Sequence, residues 1–398
     1  MKTITDKKKI EEIFARGTVT EVLPSKDELF KSLLEGKRLK IYIGLDPTAG
    51  ALHLGHAKNI MFLEELRQLG HEVILLIGDF TAQIGDPTGR SDARNQLDAE
   101  EIKKNAAKWL EQVRPIINLT DKDNPATVRY NSEWLAKLSF ADIVKMASNF
   151  TVQQMIERDM FQKRLKDGNP IHLHEFMYPL MQGYDSVAMD VDAELCGTDQ
   201  IFNALAGRTL LKRYKNKDKF VIALNLIANP KTGELMSKSK GTGVFIDLPP
   251  NELFGAVMAL PDPMIEPLFM NCTRIPLEEK DSIMKAGPRD AKARIAADIV
   301  KRFHGEEAAK KAEEAFEKTF AKGGIPDDIL EVKLNGESLP DALVKASVIE
   351  SKTEWRRLVD DGAIKTDKDE KIDDPHFAPK KEIILKIGKR RFVKVVVS

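Results

Sequence analysis

Short apolar runs alternate with helical patterns over the first 230 residues. The runs at 39–45 (LKIYIGL), 73–78 (VILLIG), 127–130, 191–195 and 220–226 (FVIALNL) have the length and apolar content of strands. Between them, 57–69 and 99–113 repeat apolar positions at helical spacing. Strands alternating with helices predict an α/β fold with a mostly parallel sheet covered on both faces. Such a sheet holds its ligand crevice at the carboxyl ends of the strands.

From about residue 251 to 322 the strand pattern stops. The segment 289–322 is rich in Ala, Lys and Glu with apolar residues at helical spacing, and predicts two helices broken near Gly305. Gly323, Gly324 and Pro326 open a polar stretch to Ser338 that reads as a linker. Ser338 and Asp341 resemble a helix start, with Pro340 in its first turn. Ser351 and Glu354 predict a capping box. It opens a helix with Trp355, Leu358 and Val359 on one face and Gly362 at the C′ position. Strand-like runs follow at 383–387 and 392–397. Three parts are expected: a parallel-sheet domain with a helical insertion (1–230), a lysine-bearing loop with an α-helical domain (231–325), and a small α+β unit (337–398).

Composition changes this picture little, but charge distribution changes it more. Lys+Arg and Asp+Glu are equal at 62 each over 398 residues, which excludes a chain that is polycationic throughout. Segment 376–398 nevertheless carries seven basic residues against Glu382, a net +6, and Arg356 and Arg357 lie on the preceding helix. A patch of this kind suits an RNA backbone; a solvated lysine-rich tail is the plain alternative. Cys196 and Cys272 form neither a disulfide framework nor a zinc knuckle, which suits a reducing cytoplasm. No run approaches the roughly 18 apolar residues of a membrane span, and MKTITDKKKIEEIF lacks the apolar core of a signal peptide. A cytoplasmic protein without a membrane partner is expected.

Three segments carry candidate chemistry. In IYIGLDPTAGALHLGHAKN, a buried strand leads through Asp46 to His53-Leu54-Gly55-His56 at a helix start. A helix N-terminus attracts phosphate. His53 and His56 are three apart on one face, and Gly55 lets a flat group such as a purine approach the backbone. A zinc pair or two helix-capping histidines fit the same pattern, but no further metal ligand stands at a telling spacing. The second segment, Glu234–Gly241 (ELMSKSKG), offers Lys238 and Lys240 between hydroxyls. It suits a pyrophosphate leaving group, or is a solvated loop. In the third, Tyr178, Gln182 and Asp185 share one helix face, opposite Met177, Leu180, Met181, Tyr184, Val187 and Ala188. That face is either the solvated side of an amphipathic helix or the wall of a pocket.

The HLGH helix near the start of a parallel sheet, with MSKSK just after its last strand, resembles the two signature segments of class I aminoacyl-tRNA synthetases. Tyr42, Gly44 and Asp46-Pro47-Thr48, then Gly78-Asp79, Gly85-Asp86-Pro87-Thr88-Gly89 and Gly197-Thr198-Asp199-Gln200, narrow the match. Together with the Tyr178–Asp185 helix, they resemble bacterial tyrosyl-tRNA synthetases over essentially the whole chain. SKTEWRRLVDDGAI and IGKRRFVKV resemble the S4 RNA-binding domain that ends those enzymes.

The resemblance implies a Rossmann-like catalytic domain, an α-helical domain and an S4-like domain. It implies ligation of L-tyrosine to tRNA(Tyr), with ATP as substrate, Mg2+ carried by ATP, and a homodimer. His53, His56 and Lys238 would be catalytic. Tyr42 and Asp185 would bind the phenolic hydroxyl. Tyr178, Gln182 and Asp86 would bind the amino group, and Gln200 the amino acid. Gly44, Asp46, His53, Gly55, His56, Gly197, Asp199, Met236, Ser237, Lys238 and Ser239 would surround ATP. Arg356, Arg357, Lys389, Arg390 and Arg391 would meet tRNA, and no protein-held metal is expected. Two departures stand out. Leu235 replaces the first lysine of the second signature, leaving Lys238 the main charge for the leaving group, with Lys231 or Lys240 as conceivable substitutes. Cys196 stands where the family commonly has glycine, and reads as a buried small residue. A tryptophanyl-type ligase on the same scaffold and an RNA-binding protein with an inactive nucleotide domain are the alternatives.

Overall fold

The computed structural model describes residues 2–88, 97–236, 242–318, 330–334, 336–346, 348–366, 370–379, 381–388 and 391–397. The chain divides into two compact units, Met1–Ala309 and Lys310–Ser398.

The first unit is built on a six-stranded sheet. Its strands are β1 (Val19–Leu23), β2 (Lys40–Leu45), β3 (Glu72–Ile77), β4 (Thr127–Tyr130), β5 (Ala193–Gly197) and β6 (Phe220–Leu224), in the order β1-β6-β5-β2-β3-β4. The five strands β2 to β6 pair in parallel, as the apolar runs predict. Ile41, Ile43, Val73, Leu75, Leu195 and Ile222 are buried in the core, because helices cover both faces. The sequence pattern missed β1. It pairs antiparallel with β6 at the sheet edge and buries only Val22 of its five residues, so it carries little apolar signal.

Helices Met177–Met189 and Ile201–Lys215 pack closely on each other. Glycine permits the approach: a Cβ at Gly183 would stand about 3.1 Å from the backbone of Ala206 and Gly207. Beyond the sheet, Pro250–Met258, Ile265–Cys272 and Pro288–His304 are helical, and Gly305 ends the last of them at φ +88° before Glu306–Phe316. The helical break near Gly305 is therefore where the sequence predicts it. No single helix among the described residues is long and apolar enough to cross a membrane.

The second unit has a four-stranded sheet of β7 (Leu330–Leu334), β8 (Ile364–Thr366), β9 (Ile383–Ile387) and β10 (Arg391–Val397), ordered β7-β10-β9-β8. Two helices, Leu339–Lys345 and Lys352–Asp360, bury Leu343, Trp355 and Val359 against Leu385, Ile387, Val393 and Val395. Strand β7 corrects the linker reading over 330–334; residues 323–329 lie outside the described residues. Val332 and Leu334 alternate with Glu331 and Lys333 and are buried, and β7 pairs in parallel with β10. The cap at Ser351 accepts the Glu354 N–H at 3.1 Å as expected, but Glu354 does not return the bond; its carboxylate takes the Glu350 N–H at 2.6 Å. Gly362 ends the helix at φ +62°.

Candidate active site

Strands β2 and β5 are neighbours from which the chain proceeds to opposite sides of the sheet, to β3 and β4 or to β6. A crevice opens outside the carboxyl ends of strands at such a reversal. Here it is a cavity of about 420 Å³. Its lining brings together Tyr42, Gly44, Asp46, His53, Gly55, His56, Asp86, Tyr178, Gln182, Asp185, Gly197, Asp199, Gln200 and Met236. Residues as much as 194 positions apart in sequence thus meet at one end of the sheet, and the pocket-wall reading of the Tyr178–Asp185 face holds.

The loop from β2 to the HLGH helix, Leu54–Gln68, is held by a helix face that the sequence reading did not single out. Asn105 and Trp109 donate to the carbonyls of Pro47 and Ala49 at 3.1 and 2.6 Å. Gln112 donates to the carbonyl of Gly50 at 2.9 Å and accepts from Leu52 at 2.8 Å. Their i, i+4, i+7 spacing was the available signal. His53 caps the helix: its Nδ1 accepts the Gly55 N–H at 3.1 Å, and His56 Nδ1 accepts the His53 N–H at 3.3 Å. Both Nδ1 atoms are thus acceptors, which leaves each neutral ring its Nε2–H as donor. Burial lowers the His53 value to about 4. Burial, then the neighbouring His53, lowers His56 to about 3. The capping alternative is therefore compatible with the phosphate reading, since one nitrogen caps while the other is free to serve a ligand. Among the described residues no cluster of His, Cys, Asp or Glu is arranged to hold a metal.

At the other end of the cavity a set of donors is engaged by carboxylates that line the same space. The Tyr178 hydroxyl donates to Asp46 at 2.8 Å, and Thr81 occupies the second Asp46 oxygen at 2.7 Å. Gln182 donates its amide to Glu194 at 2.9 Å. Gln200 donates to Asp86 at 2.6 Å. After these bonds the Tyr178 hydroxyl oxygen, the Gln182 amide oxygen and the Asp86 carboxylate can still accept. Three acceptors suit an ammonium group. Asp46, which the resemblance places against ATP, is engaged by Tyr178 and Thr81.

Tyr42 and Asp185 are both buried in the cavity wall, with separate supports. The Tyr42 hydroxyl pairs with Ser186 at 3.0 Å. Trp134 donates to Asp185 at 2.8 Å and Asn131 at 3.4 Å. Burial pushes the Asp185 carboxyl well above its ordinary range, against the opposing pull of those two donors. Behind them Lys219 forms a fully buried ion pair with Glu194 and donates to Ser186 at 2.7 Å. Neither Trp134, Ser186, Glu194 nor Lys219 carried a recognisable motif. Cys196 is buried, which raises its thiol well above the ordinary value and agrees with a packing residue.

Ser237, Lys238, Ser239, Lys389 and Arg390 lie outside the described residues. On either side of 237–241 the chain is anchored. Met236 is buried in the cavity lining and bonds Ile227, while Val244 and Ile246 pair with Leu54 and Leu52. In the second unit Arg356 and Arg357 are exposed. Arg391 is tied into the fold, donating to Val348 at 2.6 Å and to Glu354 at 2.8 Å.

Residues 34–321 match the family model of class I tRNA synthetases specific for tryptophan and tyrosine (W and Y). A tyrosine–tRNA ligase of Carboxydothermus hydrogenoformans is 45% identical, over 97% of each chain. One of Thermotoga maritima is 41% identical over 94% of each. Among solved structures, a C-terminally truncated mitochondrial tyrosyl-tRNA synthetase of Aspergillus nidulans shares the fold at TM-score 0.67 and 24% identity, over 78% of this chain and 94% of that one. The tyrosyl-tRNA synthetase of Archaeoglobus fulgidus complexed with L-tyrosine does so at 0.60 and 22%, over 77% and 99%. With this fold and this coverage, the chain belongs to the tyrosine–tRNA ligase family of class I aminoacyl-tRNA synthetases.

Proposed function

We propose that the cavity between β2 and β5 activates L-tyrosine with ATP and passes it to the 3′ end of tRNA(Tyr). The observation that carries this is the division of labour within one 420 Å³ space. Its HLGH end presents donors, and its Tyr178 end presents acceptors beside a buried Tyr42 and Asp185. In the first step a tyrosine carboxylate oxygen attacks the α-phosphorus. A carboxyl oxygen–phosphorus bond forms, the bond to the bridging oxygen breaks, and pyrophosphate leaves with the electron pair. No protein nucleophile is needed; positioning and charge stabilisation suffice.

Tyr178, Gln182 and Asp86 receive the ammonium group, with Gln200 holding Asp86. Tyr42 and Asp185 receive the phenolic hydroxyl. Phenylalanine would leave these buried groups unpaired, which is the source of selectivity. His53 and His56 donate Nε2–H to phosphate, and Gly55 and Gly197 flank the nucleotide. Gly44 is exposed on the cavity side of β2, and Asp199 stands exposed at the rim for the ribose. Lys238, Ser237 and Ser239 are assigned to the leaving pyrophosphate from their motif. Mg2+ enters with ATP as part of the substrate, held by its phosphates.

The second unit, with exposed Arg356 and Arg357, is assigned to tRNA, together with Lys389 and Arg390. Phe140, Val144, Val152, Leu165 and Leu173 are exposed at 80, 53, 63, 52 and 74%, all on the short helices Phe140–Ala147, Val152–Ile156, Asp159–Lys166 and Leu173–Phe176. That concentration of uncovered apolar side chains supports a homodimer through this region. Both cysteines are buried free thiols, in keeping with a cytoplasmic protein. Pyrophosphate exchange into ATP tests the reading. Stimulation by tyrosine is expected; stimulation by tryptophan instead, or by neither, overturns it.

A further inference from the structure

Lys58 lies on the HLGH helix, two residues after His56, and is 2% exposed. It lines the same cavity as His53, His56 and Leu235. Its Nζ donates to the neutral amide oxygen of Asn59 at 2.8 Å. Among the described residues no carboxylate comes within ion-pair distance of it. A buried ammonium without a counter-ion is costly, and neighbouring helices supply none. The titratable group acting on it from the packed Ile265–Cys272 helix is the Cys272 thiol, which burial pushes up to about 12 and so keeps neutral. His53 and His56 on its own helix are neutral as well. The other side of the account is Leu235: an apolar residue, 42% exposed, lines the cavity where the family motif carries a lysine.

We infer that Lys58 is a nucleotide-binding residue whose ammonium receives the triphosphate of ATP and supplies the positive charge that Leu235 does not. The inference rests on the proposed activation step. ATP is the polyanion that this reaction brings into the cavity, and it is the chemistry that an unpaired cation there lacks. Lys58 acts in its protonated form: it transfers no proton in the step, and its charge counters the electron pair that leaves with pyrophosphate. Burial lowers the Lys58 value to about 8, so the free enzyme loses this charge as pH rises through that value, and bound triphosphate pulls the value back up.

The test uses the full-length protein and tyrosine-dependent pyrophosphate exchange. Lys58→Met should lower kcat/KM for ATP by about 10-fold or more, the loss of a hydrogen bond to a charged group, with tyrosine KM unchanged. Its melting temperature should not fall, since a buried unpaired charge is removed. Adding Leu235→Lys to Lys58→Met should restore most of the loss. In the wild type kcat/KM for ATP should decline above about pH 8, and the variant should lack that limb. Unchanged kcat/KM in Lys58→Met, or a loss that Leu235→Lys does not restore and that falls equally on tyrosine, overturns the inference. A wild type without any tyrosine-dependent exchange would instead overturn the activation step itself.

Discussion

The Tyr178 hydroxyl donates to Asp46 at 2.8 Å, joining the Met177–Met189 helix to the exit of β2. This bond spends the only hydrogen of the hydroxyl and turns its oxygen into an acceptor for the cavity. Asp46 also takes Thr81, and Gly78 makes room for that arrangement, since a Cβ there would stand 2.0 Å from the Asp46 carboxylate. Tyr178→Phe removes the acceptor and leaves Asp46 one donor short. A lost hydrogen bond to a charged group is worth about 1.5–3 kcal/mol, so tyrosine KM should rise roughly 10- to 150-fold with kcat for adenylate formation little changed. Exchange kinetics at varied tyrosine check this; an unchanged KM would remove Tyr178 from the amino-group site.

Tyr42→Phe should act on selectivity. The Tyr42 hydroxyl sits in the wall with Ser186 as partner. Its loss should lower kcat/KM for tyrosine by roughly 2- to 12-fold, and leave kcat/KM for phenylalanine unchanged or raised. Exchange assays with each amino acid give the ratio. A parallel fall for both substrates would mean that the hydroxyl supports the fold and not the choice of substrate.

Some of this site was legible because its residues follow local periodicities. Tyr178, Gln182 and Asp185 stand at i, i+4 and i+7, and His53 and His56 at i and i+3. What they pair with was not legible, because Asp46, Glu194 and Trp134 come from distant strands and helices and obey no shared spacing. The helix face of Asn105, Trp109 and Gln112 shows the intermediate case, where periodicity was present but nothing local said what it held. In the second unit Trp355, Leu358 and Val359 revealed their helix, whereas β7 was masked by charged residues at alternate positions. Lys394 looked like part of a basic patch, yet it is paired with Glu331 and Glu382 at 3.0 and 3.1 Å.

The histidines make acid conditions informative. His53, His56 and His71 sit at about 4, 3 and 4 through burial, against 6.5 when unfolded. Below pH 6.5 the unfolded chain takes up protons that the folded chain refuses, so stability falls as pH drops from 6.5 toward 4 and is fully present above 6.5. His71 accepts the Leu39 N–H at 3.3 Å away from the cavity. His71→Gln keeps an acceptor and should flatten the dependence of melting temperature on pH between 6.5 and 4.5. An identical slope in wild type and variant would contradict a neutral buried His71. The neutral His53 and His56 also predict a rate of adenylate formation without an inflection near pH 6.5.

The Lys219–Glu194 pair is fully buried, and Glu194 also orients the amide of Gln182. Removing one partner leaves an uncompensated buried charge, at a cost of about 3–5 kcal/mol. Lys219→Met and Glu194→Gln should each lower the melting temperature strongly, and the double variant should regain most of it. Glu194→Gln, alone or with Lys219→Met, should still raise tyrosine KM, because the acceptor that holds the Gln182 amide is weakened. Additive losses of stability in the double variant would show that the two residues do not act as a pair.

The arginines of the second unit separate into two kinds, and this gives its sharpest test. Arg391 holds Val348 and Glu354, so it ties β10 to the Lys352–Asp360 helix. Arg356 is exposed on that helix, with no carboxylate within ion-pair distance among the described residues. Arg391→Ala should therefore destabilise the second unit and impair tRNA charging through that loss. Arg356→Ala should leave the melting profile unchanged and weaken tRNA binding, with a smaller dependence of binding on salt concentration because one fewer phosphate contact releases a counterion. Neither change should alter tyrosine-dependent pyrophosphate exchange, which is assigned to the cavity of the first unit. Binding of tRNA(Tyr) measured across a salt series gives the slope for each protein. A wild-type slope retained in Arg356→Ala would place the tRNA contact elsewhere on the second unit, and a loss of exchange activity would argue against separate roles for the two units.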